Sequence, residues 1–428
     1  MTNNELMKED LKHIFHPCSQ MKDYETIPLI PIKSGKGSYI KDFEDNEFLD
    51  CISSWWVNIF GHSNEYINKK IKEQVEELEH VIFAGFTHKP AVDLAKRLVA
   101  MTPEPLQKLF FADNGSSAIE IALKMAFQYF KNKGETRTQF ISLQSSYHGE
   151  TMGALAVSDT GLYKDIYNDI LIQTIKAKSP SLVDEDEAIE DMRRVLEENK
   201  GNVSSVVIEP LIQCAAGMLM YDASYITRLR KLCDEYGVFL IADEIAVGFG
   251  RTGTMFAIEQ ADITPDFLCL SKGITGGYMP LSVVMFTDDI YNAFYCDYNE
   301  GKSFLDSHSY TGNTLACAVA NAVLDIFENE NVIEKNQEKI AFIKENTQKF
   351  KDLENVIEVR QRGMVCAIEL NAYENRRINL EIFQEALKEG VYVRPLGNIL
   401  YFMPPYCFTF EQLEKMIEVT YKIVSTKL

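Results

Sequence analysis

The sequence predicts an α/β protein: a large domain with a mainly parallel sheet between helices, and a smaller α+β domain. Three observations carry that expectation. From about residue 64 to 313, short β-branched runs alternate with amphipathic stretches, the pattern of strands joined by helical crossovers. Residues 36–60 instead read as short strands with turns, because Gly35, Gly37 and the pair Asp45–Asn46 separate alternating apolar positions. After Asn313 a long helix-compatible stretch leads into a second set of strands. The expected division is an N-terminal segment 1–61 that joins the small domain, a large domain 62–313, and a C-terminal α+β domain 314–428. A small-molecule site is expected in a cleft between such units.

Each element has a local reason. The run Lys108–Phe111 reads as a strand, followed by a helix that places Ile119, Ala122, Leu123, Ala126, Tyr129 and Phe130 on one face. Further strands are expected at Gln139–Leu143, Val203–Glu209, Gly237–Asp243, Phe267–Ser271 and Leu281–Phe286. Helical stretches follow at Leu315–Phe327 and Val332–Leu353, then strands at Val356–Arg360 and Met364–Leu370. A helix near Asn379–Lys388 and strands at Val391–Arg394 and Ile399–Met403 complete the chain.

Composition narrows the function. The 428 residues are 46% hydrophobic and 25% charged, enough to close a large core and too polar for a membrane bundle. Forty-three Lys and Arg stand against 63 Asp and Glu, and the net charge of −20 repels phosphate backbones and anionic lipid surfaces, so neither nucleic acid nor membrane is an expected partner. The nine cysteines are scattered without a CxxC or a metal-ligand spacing, which fits reduced thiols in the cytoplasm and no metal. The N-terminal stretch is polar and acidic where a signal peptide would be cationic and then apolar, and no apolar run approaches the ~18 residues of a bilayer span.

Four motifs carry chemistry. The strand Phe239–Asp243 ends in an acid at the carboxyl edge of the sheet, where α/β folds hold ligands. The following Gly248–Gly253 matches G-x-G-x-x-G, but Thr254–Ala261 is too short for the crossover helix of a dinucleotide site and Pro265 stops it. Twenty-nine residues after Asp243, Lys272 follows another apolar strand and precedes Gly273, Gly276 and Gly277, a setting suited to a Schiff-base amine. The turn Asp113–Ser117 opens the long helix with Gly115 and Ser116, whose free N–H groups and helix dipole suit a phosphate. Just past a further strand, Tyr147 in Ser145–Glu150 offers a ring to lie flat on a planar heterocycle. Singly, each has an ordinary reading: an Asp in a turn, a solvated Lys, a capped helix, a Tyr-His turn packed on the core. In this order on one alternating chain they describe a pyridoxal phosphate site, with phosphate on Gly115 and Ser116, ring on Tyr147, ring nitrogen on Asp243 and aldehyde on Lys272.

At these residues the chain resembles the class III (ω-amino) aminotransferases of pyridoxal phosphate fold type I, over essentially its whole length. The segment from Ile241 to Gly277, with its D-E, G-F-G-R-T-G and S-K-G elements, is the specific part of the resemblance. It implies a homodimer with active sites at the subunit interface, and a second phosphate contact made across that interface by Ser307–Asn313, with His308 and Ser309 at the cofactor and Ser307 toward substrate. Ser309 stands where many relatives have Thr, and the hydroxyl is kept. Within the class, Ile52–Trp56 and the stretch Arg394–Pro405 resemble a branch that aminates 8-amino-7-oxononanoate. Trp55 and Trp56, the only tryptophans, would give apolar wall, one to each face of a short strand. Arg394 would grip a carboxylate. The resemblance implies S-adenosylmethionine as donor; relatives commonly carry Tyr after His16–Pro17, and Cys18 in that place opens lysine or another amine as the alternative. The resemblance also implies ping-pong transamination in which Lys272, beside Asp243 and Tyr147, carries the proton.

Overall fold

In the computed structural model, residues 2–372, 374 and 376–427 are described. The chain divides into two compact units, one of Tyr66–Gln337 with Gln361–Val365, the other of Met1–Glu65, Glu338–Arg360 and Cys366–Leu428.

The larger unit is built on a seven-stranded sheet in the order Lys108–Ala112, Ser282–Phe286, Phe267–Leu270, Phe239–Asp243, Val203–Ile208, Gln139–Leu143 and Ile175–Ala177. Only Ser282–Phe286 runs antiparallel to its two neighbours; the other pairings are parallel. The central strands are near-continuous apolar runs, as a sheet covered on both faces requires. Helix Gly115–Asn132 lays Ile119, Ala122, Leu123 and Ala126 on Val207, Ile241, Phe267 and Val284, and each side chain buried this way stabilises by roughly 1.5–3 kcal/mol for the larger ones. The edge strand Ile175–Ala177 has no counterpart in the sequence expectation, because it is three residues long with Lys176 at its centre.

Helix Thr314–Glu330, expected in the C-terminal domain, belongs to the larger unit. Its apolar face packs on helix Lys89–Met101, and Asn321 and Asp325 engage Pro90 and Arg97 there. The expected boundary at residue 313 therefore moves to Gln337, since a change from strand to helix marks an element and not necessarily a domain.

In the smaller unit the N-terminal strands Ile32–Lys36, Tyr39–Asp42 and Glu47–Asp50 form a sheet closed by Val391–Tyr392, parallel to Glu47–Asp50. A second sheet holds Val356–Arg362, Val365–Leu370 and Ile399–Phe402. Helices Ile378–Lys388 and Phe410–Lys427 pack on each other beside them. No helix among the described residues is long and apolar enough to cross a membrane.

Candidate active site

Three adjacent parallel strands deliver the polar centre of the larger unit. Ile208 pairs with Ala242, so Glu209 and Asp243 follow directly at neighbouring strand ends. Asp243 in turn pairs with Cys269, three residues before Lys272. Asp243 is buried, with Oδ2 2.8 Å from His148 Nδ1 and Oδ1 accepting from Ile245 N–H at 3.1 Å. Lys272 begins a short 3-10 turn, Lys272–Thr275, in the left-handed region with φ +44°. Burial lowers the proton affinity of its amine, against the pull of Cys214, Asp243 and Glu209. An amine that deprotonates more readily is present to a larger extent in its neutral form, the form that can act as a nucleophile or take up a proton.

The turn before helix Gly115–Asn132 is capped by Asn114, whose side chain accepts from Ser117 N–H at 3.0 Å, and not by the serines. The first-turn N–H groups of Gly115 and Ser116 have no carbonyl four residues back within the helix, which leaves them for an anion. The Ser116 hydroxyl lies 2.7 Å from Thr151 Oγ1 and accepts from Thr151 N–H at 2.9 Å. Gly149, with φ +121°, passes so close to Ser116 that a Cβ would overlap its hydroxyl. His308 stands 3.3 Å from Asp113 in the same turn, Ser309 O accepts from His80, and Ser307 is exposed.

Tyr147 is held at both ends. Its N–H donates to Glu209 Oε2 at 2.9 Å, its hydroxyl donates to Glu150 at 2.8 Å, and its ring lies 5.3 Å from that of Tyr163. Glu209 Oε1 also accepts from Cys214 N–H at 3.0 Å, and burial together with Asp243 pushes the Glu209 carboxyl up to about 8. Sequence reasoning assigned no role to Glu209 or His148. The signal for Glu209 was present, since it ends an apolar strand at the carboxyl edge of the sheet as Asp243 does.

In the smaller unit the expectation of a strand carrying Trp55 and Trp56 is overturned. Residues Ser53–Trp56 form a left-handed turn with φ of 51°, 46°, 77° and 76°. The cause lies upstream: the buried Asp50 carboxylate accepts from Ile52 N–H, Ser54 N–H and the Ser54 hydroxyl at 3.3, 3.0 and 2.7 Å, winding the chain around itself. Trp56 is buried and its indole donates to Tyr401 at 3.1 Å. Trp55 is 37% exposed, and the Arg394 guanidinium sits 4.8 Å from the centre of its ring. Arg394 also donates to the backbone carbonyl of Cys18 at 3.3 Å. Trp55, Arg394 and Cys18 are thus gathered in one unit, and Lys272, Asp243, Tyr147, Gly115, Ser116 and His308 in the other.

The model of the class-III aminotransferase family matches residues 20–424. The chain belongs to the class-III aminotransferases. It is 48% identical to the adenosylmethionine-8-amino-7-oxononanoate aminotransferase of Helicobacter pylori, over 95% of each chain. The crystal structure of the enzyme of that name from Methanocaldococcus jannaschii superposes with a TM-score of 0.95 at 38% identity, covering 98% of both chains. An amine transaminase from an uncultivated Pseudomonas species, solved with pyridoxal phosphate bound, superposes with a TM-score of 0.90 at 30% identity, covering 96% of this chain and 99% of that one. The protein is therefore a pyridoxal phosphate-dependent aminotransferase. Its residues fit that cofactor: a helix start with free N–H groups, a glycine packed where a Cβ would collide, a buried strand-end carboxylate and a half-buried lysine whose amine burial makes less basic.

Proposed function

We propose that the protein transfers an amino group to 8-amino-7-oxononanoate, forming 7,8-diaminononanoate in biotin biosynthesis, with S-adenosylmethionine as donor. The observation that carries this reading is the near full-length identity of 48% to an enzyme named for that reaction. The smaller unit supports it. An arginine stacked on a half-exposed tryptophan offers a cation beside apolar wall, as a long aliphatic chain ending in a carboxylate needs.

Pyridoxal phosphate, when bound, supplies an electron sink that stabilises the carbanion formed at the amine-bearing carbon. The protein supplies the rest. Gly115 and Ser116 would hold phosphate through the helix start, and His308 and Ser309 would complete that grip in a homodimer. Asp243, oriented by His148, pairs with the ring nitrogen. Tyr147 covers the ring face. Lys272 Nζ would hold the cofactor and, once free, would take the proton from the substrate's amine-bearing carbon. Trp55, Arg394 and Cys18 on the smaller unit and Ser307 on the larger are the residues assigned to substrate, whereas Trp56, buried on Tyr401, is a packing residue. Exposed Ile82, Phe86, Leu305 and Tyr310 on the larger unit support burial against a second subunit, and nine cysteines outside any disulfide support a reducing cytoplasm.

The test is a coupled assay of the purified holoenzyme with 8-amino-7-oxononanoate as acceptor and S-adenosylmethionine, lysine or a simple diamine as donor. Diamine product formed from S-adenosylmethionine is expected. Turnover with other ω-amines and none with this acceptor would place the chain elsewhere in its family.

A further inference from the structure

The carboxyl ends of three neighbouring strands carry Glu209, Asp243 and Lys272 in succession, and the reading above uses only the last two. Glu209 is buried, and each of its oxygens accepts one backbone N–H: Oε2 from Tyr147 at 2.9 Å and Oε1 from Cys214 at 3.0 Å. Its own carbonyl accepts from the Tyr221 hydroxyl at 2.5 Å, which fixes the strand end from which the carboxyl projects. Tyr147 and His148 are consecutive, so the peptide of one rests on Glu209 while the imidazole of the other rests on Asp243. A loop residue at a sheet edge has no ladder partner to set its position, and here two acids on adjacent strands take that role.

We propose that Glu209 is a positioning residue for the cofactor, acting through the Tyr147 peptide to hold that ring over the pyridine plane. The proposal deepens the functional reading and rests on it. Glu209 does not touch the reacting atoms; it determines where Tyr147 sits relative to Asp243. Glutamine at 209 keeps the shape but brings one carbonyl oxygen and one NH2 to two N–H donors, so one donor loses its acceptor. The groups around the carboxyl are Tyr147 and His148 from the loop, Cys214 and Tyr221 from the following turn, Asp243 from the adjacent strand and Lys272 from the next.

The experiment is a double-mutant cycle on the pyridoxal phosphate dissociation constant of the full-length protein, read from the bound cofactor's visible band, with E209Q, Y147A and the double variant. E209Q alone is expected to weaken binding about tenfold, the scale of one lost buried hydrogen bond. In the Y147A background the same substitution is expected to cost less than about twofold, because the ring it positions is gone. Wild-type affinity in E209Q, or a loss undiminished in the Y147A background, would overturn the proposal alone. Wild-type affinity in Y147A would overturn it through the underlying placement of Tyr147. If circular dichroism shows E209Q unfolded, E209D, which withdraws the carboxylate by one methylene, enters the same cycle with the same expectations.

Discussion

At the scale of single residues, the proposed chemistry depends most on Lys272. Burial and a setting among Cys214, Asp243 and Glu209 prepare an amine that gives up and regains a proton readily. We predict that Lys272→Ala lowers kcat by about four orders of magnitude or more in a stopped assay of product diamine, since in the proposed mechanism both covalent attachment and proton transfer depend on that nitrogen. Arg394 makes a different demand. In the proposed role it binds a carboxylate remote from the reacting atoms, a contact equal in ground and transition states, so Arg394→Ala is expected to raise KM for the amino-keto acid about 10- to 100-fold with kcat little changed. Arg394→Lys keeps charge but loses the planar stack on Trp55, and initial-rate kinetics should place it between the two. Asp243 and Lys272 were legible in the sequence because a strand that ends in a charged residue is a local signal. Glu209 sends the same signal without a motif around it, and its significance lies in the Tyr147 peptide 62 residues away in sequence.

At the scale of elements, the turn Ser53–Trp56 shows where local reading stops. Alternating apolar residues between turn signals suggested a strand, and nothing in the tetrapeptide Ser-Ser-Trp-Trp favours left-handed backbone, which costs roughly 1–2 kcal/mol per residue. The conformation persists because Asp50 takes three donors from the turn and a fourth contact from His62 at 2.9 Å, and Trp56 docks on Tyr401 from beyond residue 400. Asp50→Ala removes the acceptor of several buried donors at once, and we predict a loss of about 3 kcal/mol from urea unfolding. Both tryptophans of the chain lie in this turn, so their fluorescence reports it directly. A red-shifted native emission in Asp50→Ala, with secondary structure retained, is the expected signature of a turn that has let Trp56 go. Helix Thr314–Glu330 teaches a related lesson. Its apolar face was readable, but the choice of Lys89–Met101 as its partner depends on Arg97, Asn321 and Asp325 meeting in space.

At the scale of the whole molecule, the strand–helix alternation was legible because each central strand is a short, mainly apolar run, whereas the division into units was not, because contacts and not changes of pattern decide it. The larger unit also buries acids whose protonation is a property of the folded chain. Glu209 and Glu244 are both pushed up to about 8 from an ordinary 4.5, chiefly by burial, even though Glu244 accepts from Ala257 and Ile258 N–H at 2.7 and 2.8 Å. The folded state therefore holds these protons up to about pH 8, while the unfolded chain releases them near 4.5. As pH rises between those values the unfolded state gains more from deprotonation, so the stabilisation present below about 4.5 is lost through about 8. Lys176, lowered to about 7 by burial, works the other way between about 7 and 10.5, which makes a difference measurement the cleaner one. We predict that the urea midpoint of the cofactor-free protein falls from pH 5 to pH 8.5, and that E209Q, which cannot titrate, falls less steeply over the same range. Parallel slopes for the two proteins would mean that Glu209 is already ionised in the native state, stabilised by Lys272 and its two backbone donors against the cost of burial.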